Sequence, residues 1–207
     1  MGNKNFTIVD VETTGGSPFF HRVIEIGILR VERGEITQKF KSLINPGVPI
    51  PEFITEFTGI TGKMLKNAPA FEDLAEELLP LFEDSIFVAH NSSFDYKFLT
   101  SEFERSGYKF FMDTLCTVRL SRALYPEYKR HNLSALIERF DLHCKNRHRA
   151  YDDAKVLWNF LQLAEKRFPA EHLEAALERT IKKIPPKKQH KLSKVLEHEL
   201  VYVEDSY

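Results

Sequence analysis

The stretch FTIVDVETTG, Phe6 to Gly15, decides how this chain is read. Phe6, Ile8, Val9 and Val11 predict a strand that is apolar on both faces, as strands in the middle of a sheet are. Asp10 and Glu12 interrupt it, two residues apart. Side chains at i and i+2 of a strand leave the same face, so the two carboxylates emerge side by side. Adjacent buried carboxylates repel, and one takes up a proton unless a positive group lies between them. Thr13, Thr14 and Gly15 follow at once, small and hydroxyl residues that let a ligand approach the backbone closely. Ion pairs with Lys or Arg would also satisfy the two acids, so this stretch alone leaves a structural and a catalytic reading open.

Outward from that strand, Val23–Val31 and Ile36–Ile44 are β-rich runs joined around Arg33-Gly34, which predicts a hairpin and three consecutive antiparallel strands. Phe71, Leu74, Ala75, Leu78, Leu79 and Phe82 fall on one helical face. Ser85–Ala89 predicts a short strand, and Ser93–Glu104, Leu115–Leu124 and Leu133–Phe140 predict helices. A further helical stripe runs from Ala154 through Leu157, Trp158, Leu161 and Ala164. Strands followed by helices alternating with short strands indicate a layered α/β domain, with its boundary placed at residue 166. Residues 167–207 differ in character. Ala170–Lys183 has helical composition, and Arg179 to Lys194 holds seven Lys/Arg and no acid. Residues 195–207 hold four acids and no Lys/Arg, so this region reads as a helical and basic appendage or linker.

Bulk composition narrows the function classes. A formal net charge of −1 over 207 residues gives no global attraction to nucleic acid or an anionic membrane, so any polyanion site must be a local patch. Cys116 and Cys144 match no metal or redox spacing. No apolar run approaches the ~20 residues of a membrane span, and no signal-peptide core precedes the first strand. The expectation is a cytoplasmic protein with no membrane partner.

Two more stretches supply inward acids. In VAHNSSFD, Val88 to Asp95, a strand end passes through a polar turn into a helix, with Asp95 on the same stripe as Phe98 and Leu99. Ser92-x-x-Asp95 also fits a helix capping box. In RHRAYDDAKVLW, Arg147 to Trp158, Asp153 shares a face with Leu157 and Phe160, whereas Asp152 aligns with Lys155 and Asn159. Asp10, Glu12, Asp95 and Asp153 thus face inward without matching inward Lys or Arg, and they cannot all stay charged in a dry core. Hard divalent cations would resolve this, since all-oxygen donors suit Mg²⁺ or Mn²⁺. A pair of such ions ~4 Å apart is the usual apparatus for in-line attack on a phosphodiester. His148, just before the last acidic helix, has an unperturbed pKa of ~6.5 suited to a general base.

VDVETTG, HNSSFD and HRAYDDA, in that order and at these separations, resemble the three motifs of the DEDD 3'-5' exonucleases of the histidine subtype. That family includes the proofreading subunit of bacterial replicative polymerase, RNase T and oligoribonuclease. RVIEIGIL, LINPGVPIP and FTGITGKML resemble its intervening segments, so the likeness covers about residues 5–165. The resemblance implies a ribonuclease-H-like fold with a mixed five-stranded sheet flanked by helices. It implies that Asp10, Glu12, Asp95 and Asp153 hold two Mg²⁺ or Mn²⁺ and that His148 is the base. Thr13, Thr14 and Gly15 would hold the 3'-terminal nucleotide, Ile60 would wedge beside its base, and His90, Asn91 and Phe94 would line the groove. The implied reaction releases nucleoside 5'-monophosphates from single-stranded DNA 3' ends, in association with a DNA polymerase or other replication or repair protein. RNA ends, as for an exoribonuclease, and a non-catalytic nucleic-acid-binding module stay open. A haloacid-dehalogenase-like phosphatase opening is a rival for DVETT, but Glu12 stands where its second Asp belongs and HNSSFD has no place in it. Phe19-Phe20 are bulky for an exposed turn and could stack on bases or pack on a neighbouring helix.

Overall fold

The computed structural model describes residues 1–2, 4–184 and 193–194. The basic run across 185–192 and the acidic stretch 195–207 lie outside the described residues. The sheet has six strands in the order β3-β2-β1-β4-β6-β7. β1 (Phe6–Thr13), β2 (Val23–Glu32) and β3 (Glu35–Leu43) form the expected antiparallel unit. Arg33 and Gly34, at φ 52° and 81°, make its two-residue turn, the backbone handedness that matches strand twist. β4 (Ile86–Ala89) runs parallel to β1, and β6 (Thr114–Cys116) parallel to β4. β7 (Ile181–Lys182), from the basic appendage, closes the edge antiparallel to β6 and accounts for the sixth strand. A separate two-stranded ladder joins β5 (Tyr108–Lys109) to β8 (Ser193–Lys194).

Helices cover both faces. One face of β1, Phe6 and Ile8, packs with Leu29, Val31 and Leu115 under α5 (Thr117–Leu124), α6 (Leu133–Phe140), α7 (Ala150–Arg167) and α8 (Ala170–Thr180). The other, Val9 and Val11, packs with Ile26, Ile28 and Phe87 against α3 (Phe71–Leu78) and α4 (Ser93–Arg105). A smaller cluster of Ile24, Ile54, Ile60 and Leu65 anchors α1 (Glu52–Thr58) and α2 (Gly62–Leu65) to the end of β2. No helix among the described residues is long and apolar enough to cross a membrane.

Two element predictions need correction. The helical stripe from Phe71 to Phe82 is inward as expected, but α3 ends at Leu78 and residues Leu79–Phe82 tighten into a 3₁₀ turn. Pro80 has no N–H to give and cannot sit in an α-helix interior. The predicted helix Leu115–Leu124 begins as strand β6, because Leu115 pairs with Val88 in the middle of the sheet. Three residues are too few to show an alternation in sequence.

Candidate active site

Everything at the site follows from where β1 stops being an ordinary strand. Its pairing with β4 ends at Ile8–Val88. Beyond that point the N–H of Val11 is donated to Asp95 Oδ1 at 3.2 Å, so an acid from the first turn of α4 takes the place of a neighbouring strand. Ser92 makes no capping hydrogen bond, so Asp95 serves β1 rather than a capping box. On the other side, β1 pairs with β2 in register Asp10–Gly27 and Glu12–Glu25, followed by a bulge at Glu12/Thr13. A bulge re-aims the residues beside it.

The opposite residues on β2 bring in the third element. A Cβ on Gly27 would lie 2.3 Å from the N of Tyr151 and 2.4 Å from the carbonyl carbon of Ala150. Only glycine lets the first turn of α7 lie that close to the strand. Glu25 then fixes that turn. Its carboxylate accepts from Arg149 Nε at 3.0 Å and Nη2 at 2.6 Å, and from the N–H of Ala150 at 2.9 Å. A carboxylate at a helix N-terminus meets free N–H groups and the positive end of the dipole. One turn along, Asp153 is 4% exposed, and Asp152 is bound to Asn146 at 2.8 Å on the wetter side.

The result is a cluster of four acids with one histidine. Oxygen or nitrogen atoms of Glu12, His148 and Asp153 lie within 4.8 Å of one another, a spacing that could hold a cation. Asp10 lies outside that tight set but feels its charge. Burial first, then the charges of Asp95, Asp153 and Glu12, raise its pKa well above the carboxylate range. Burial, Asp153 and Glu25 push Glu12 up to about 8. Burial pushes Asp95, 3% exposed, to about 7, although the Val11 N–H bond opposes this. Burial and mutual repulsion thus favour the protonated acids, and a cation among them would favour the charged form.

One inward cation is present. Arg147 Nη1 is hydrogen-bonded to Asp153 Oδ1, and its charge lowers the pKa of both Asp10 and Glu12. The expectation of acids without an inward Arg is therefore corrected; among the described residues, Arg147 is the guanidinium hydrogen-bonded to a member of the cluster. His148 sits beside it at φ 59°, a left-handed conformation that non-glycine residues rarely adopt. Its N–H is donated to Asp153 Oδ2 at 3.3 Å. Burial and the Arg147 charge lower its pKa, so the ring is neutral and can accept a proton at neutral pH. Phe57 from α1 lies against that ring with centroids 3.9 Å apart.

The residues expected to hold substrate are more varied. Thr14 is buried, and its hydroxyl accepts the N–H of Arg22 at 3.0 Å, so it serves the loop itself. Thr13 Oγ1 donates to the carbonyl of Gly15 at 2.8 Å. The close approach that Gly15 permits is made by the ring of His21, 2.6 Å from where a Cβ would stand. His90 Nδ1 meets Thr117 Oγ1 at 2.9 Å, and burial pushes His90 down to about 4, hence neutral. Asn91 is exposed at φ 67°, and Phe94 packs on Phe98. Ile60 is 0% exposed in the small cluster under α1 and α2, and offers a base no surface in this conformation. Phe53 and Phe57 on α1 are exposed apolar rings, at 61% and 59%. Phe19 and Phe20 are exposed and contact each other edge to face, 4.8 Å between centroids.

Sequence reasoning passed over Glu25, Gly27, Arg147 and Phe57. Glu25 and Gly27 were visible as an acid and a glycine two residues apart inside the apolar run VIEIGIL. Nothing in the sequence pattern marked Arg147 or Phe57.

Comparison with known proteins agrees with this geometry. The family model described as an exonuclease, RNase T type, matches residues 7–161. The 3'-5' exonuclease DinG of Bacillus subtilis is 39% identical over 169 residues, which is 80% of this chain and 18% of that protein. The PolC-type DNA polymerase III of Streptococcus sanguinis is 32% identical over 206 residues, 99% of this chain and 14% of that one. The chain thus spans less than a fifth of the length of these relatives. Among solved structures, Exonuclease X in complex with 5'-overhanging duplex DNA superposes with a TM-score of 0.62 at 25% identity, covering 83% of this chain and 99% of that one. E. coli Exonuclease I with a dA16 oligonucleotide shares the fold, with a TM-score of 0.74 at 18% identity over 83% of this chain and 42% of that one. By its motifs, its fold and its match over most of its length, the chain belongs to the RNase T-type exonuclease family, within the DEDD 3'-5' exonucleases.

Proposed function

We propose that the chain is a metal-dependent 3'-5' exonuclease that removes nucleoside 5'-monophosphates from single-stranded DNA 3' ends. The observation that carries this reading is the convergence of Asp10 and Glu12 from β1, Asp95 from α4 and Asp153 from α7 around one histidine. Two Mg²⁺ or Mn²⁺ fit the donor set, because the carboxylate oxygens are hard ligands whose charge Arg147 leaves largely uncompensated. Asp10, Glu12 and Asp153 would hold one ion directly, and Asp10 with Asp95 the other. Such ions supply electrostatic stabilisation of an in-line displacement at phosphorus and of the departing oxygen. The chain's own residues do the rest. His148, neutral and steadied by Phe57, takes the proton of the attacking water. Asp153 accepts the His148 N–H and orients that loop. Thr13, Thr14 and Gly15 shape the wall against which the terminal nucleotide rests, and Asn91 lies at the mouth.

DNA is favoured over RNA because the relatives include PolC-type polymerases and the fold neighbours include DNA complexes. We take residues 1–166 as the catalytic domain and 167–207 as an appendage, in a cytoplasmic protein of replication, proofreading or repair. The test is digestion of 3'- and 5'-labelled single-stranded DNA, duplex DNA and RNA side by side with Mg²⁺, Mn²⁺ or EDTA. Mononucleotide release from the 3' end of single-stranded DNA, abolished by EDTA, is expected. Release from 5' ends, activity in EDTA, or cleavage of RNA alone would overturn the reading. His148→Ala should lower turnover about 10²–10⁴-fold while Mn²⁺ binding measured by calorimetry is retained.

A further inference from the structure

A second feature, opposite in sign to the acid cluster, lies beside it. A cavity of about 750 Å³ opens along the flank of α4 toward β6, β7 and α5. Its wall starts at Asn91, Ser92 and Ser93, the turn that leads into Asp95, and carries Lys97, Arg119, Arg122, Lys182 and Lys183. Among the described residues, no Asp or Glu lines it and none of those five cations is ion-paired. Salt bridges elsewhere on the molecule show that its Lys and Arg find acids where acids are near. Five unpaired like charges around one concavity repel each other, and a polyanion removes that repulsion.

The cavity is also built for more than phosphate. Its volume falls in the ~300–1,000 Å³ range of ligand sites. Tyr96 and Phe111 lie in its wall. The Tyr96 hydroxyl accepts the N–H of Met112 at 3.0 Å, which fixes the ring in place. Fixed aromatic rings among cations are how single strands are held without sequence preference. Continuity with the acid cluster is short, since Asn91 lines the cavity and Asp95 stands four residues further along.

We propose that this cavity is a second nucleic-acid subsite, which grips the single strand on the 5' side of the scissile bond through its phosphates and stacks a base on Tyr96. The proposal rests on the exonuclease reading, and its test separates the two. Fluorescence anisotropy with a dT12 oligonucleotide in EDTA measures binding without cleavage. Hydrolysis of the p-nitrophenyl ester of thymidine 5'-monophosphate with Mn²⁺ measures chemistry on a substrate that spans only the acid cluster. Lys97→Ala/Arg119→Ala/Lys183→Ala should weaken dT12 binding at least tenfold. It should also lower the slope of log affinity against log salt by about 2, at ~0.7 for each lost phosphate contact, and leave ester hydrolysis unchanged. Arg122→Ala/Lys182→Ala, on other positions of the same wall, should lower the slope by about 1.4, and the Lys↔Arg exchanges at all five should restore it. Unchanged dT12 affinity and slope in both alanine variants would overturn the subsite. Failure of the unsubstituted protein to hydrolyse the ester would count against the exonuclease reading instead, with the anisotropy still deciding the subsite.

Discussion

The first turns of α4 and α7 each deliver one buried acid to the same place, and they hold it in different ways. Asp95 is tied by a neutral backbone N–H, that of Val11. Asp153 is tied by a guanidinium, that of Arg147. The first bond ties the acid to the backbone of the sheet. The second is an ion pair whose partner is 30% exposed and open to replacement by a stronger cation. The site therefore has a fixed side and an exchangeable side.

The largest effect that would break this comparison comes from neutralising each acid. Asp153→Asn and Asp95→Asn should each lower turnover on the order of 10³-fold, the scale of several kcal/mol of lost charge stabilisation. They should part company in metal-free protein. Asp95→Asn keeps an acceptor for Val11 and removes a carboxylate that burial disfavours, so its Tm at pH 8 should rise. Asp153→Asn leaves Arg147 without its partner, so its Tm should fall. Equal Tm changes of the same sign would erase the distinction.

Next in size is Gly27→Ala. The added carbon meets the backbone of Ala150 and Tyr151 rather than a flexible side chain. A loss of about 1–3 kcal/mol is expected in chemical denaturation, with turnover reduced because Asp153 and His148 move with that turn. Asp95, on the opposite side, is not displaced. Full activity with full stability would show that α7 is not held by this contact.

A pH dependence follows from the raised acids. Asp95 is pushed to about 7 and Glu12 to about 8, from ordinary values of 3.8 and 4.5. Between those limits the folded chain binds more protons than the unfolded one, so stability falls as pH rises through that window. In EDTA, Tm should decline from pH 5 to pH 8, and Mn²⁺ should flatten the decline. A Tm that rises over that range in EDTA would contradict the assignment.

The smallest effect sharpens the exchangeable side. Arg147→Gln removes the competing cation, and calorimetry should show Mn²⁺ affinity rising about two- to fivefold, the worth of a partly exposed ion pair. Unaltered affinity would mean that Arg147 does not contend for Asp153.

Much of this was legible in the sequence because it is local. The strand of Phe6–Thr13 and the amphipathic helices announce themselves by period, and Asp153 was separable from Asp152 by helical face alone. The stop at Pro80 was readable as well, since proline has no N–H for a helix interior, but the apolar stripe runs on through it. The rest was set by tertiary contact. Leu115 looks like helix until Val88 lies beside it. Glu25 and Gly27 are ordinary strand residues until α7 arrives over them. Ile60 has the composition of a surface turn, THR-GLY-ILE-THR in a loop between short helices, yet the bulge at the end of β1 leaves Ile24 for it to pack against.

His148 has one more consequence. Its backbone stands at φ 59°, where an L side chain costs roughly 1–2 kcal/mol and glycine almost nothing. The most restful residue for that bend is one with no imidazole. A search for heat-hardened variants of this chain, run without an assay for chemistry, would drift toward discarding the imidazole proposed to take the proton, so thermal selection and catalytic selection would pull this codon in opposite directions.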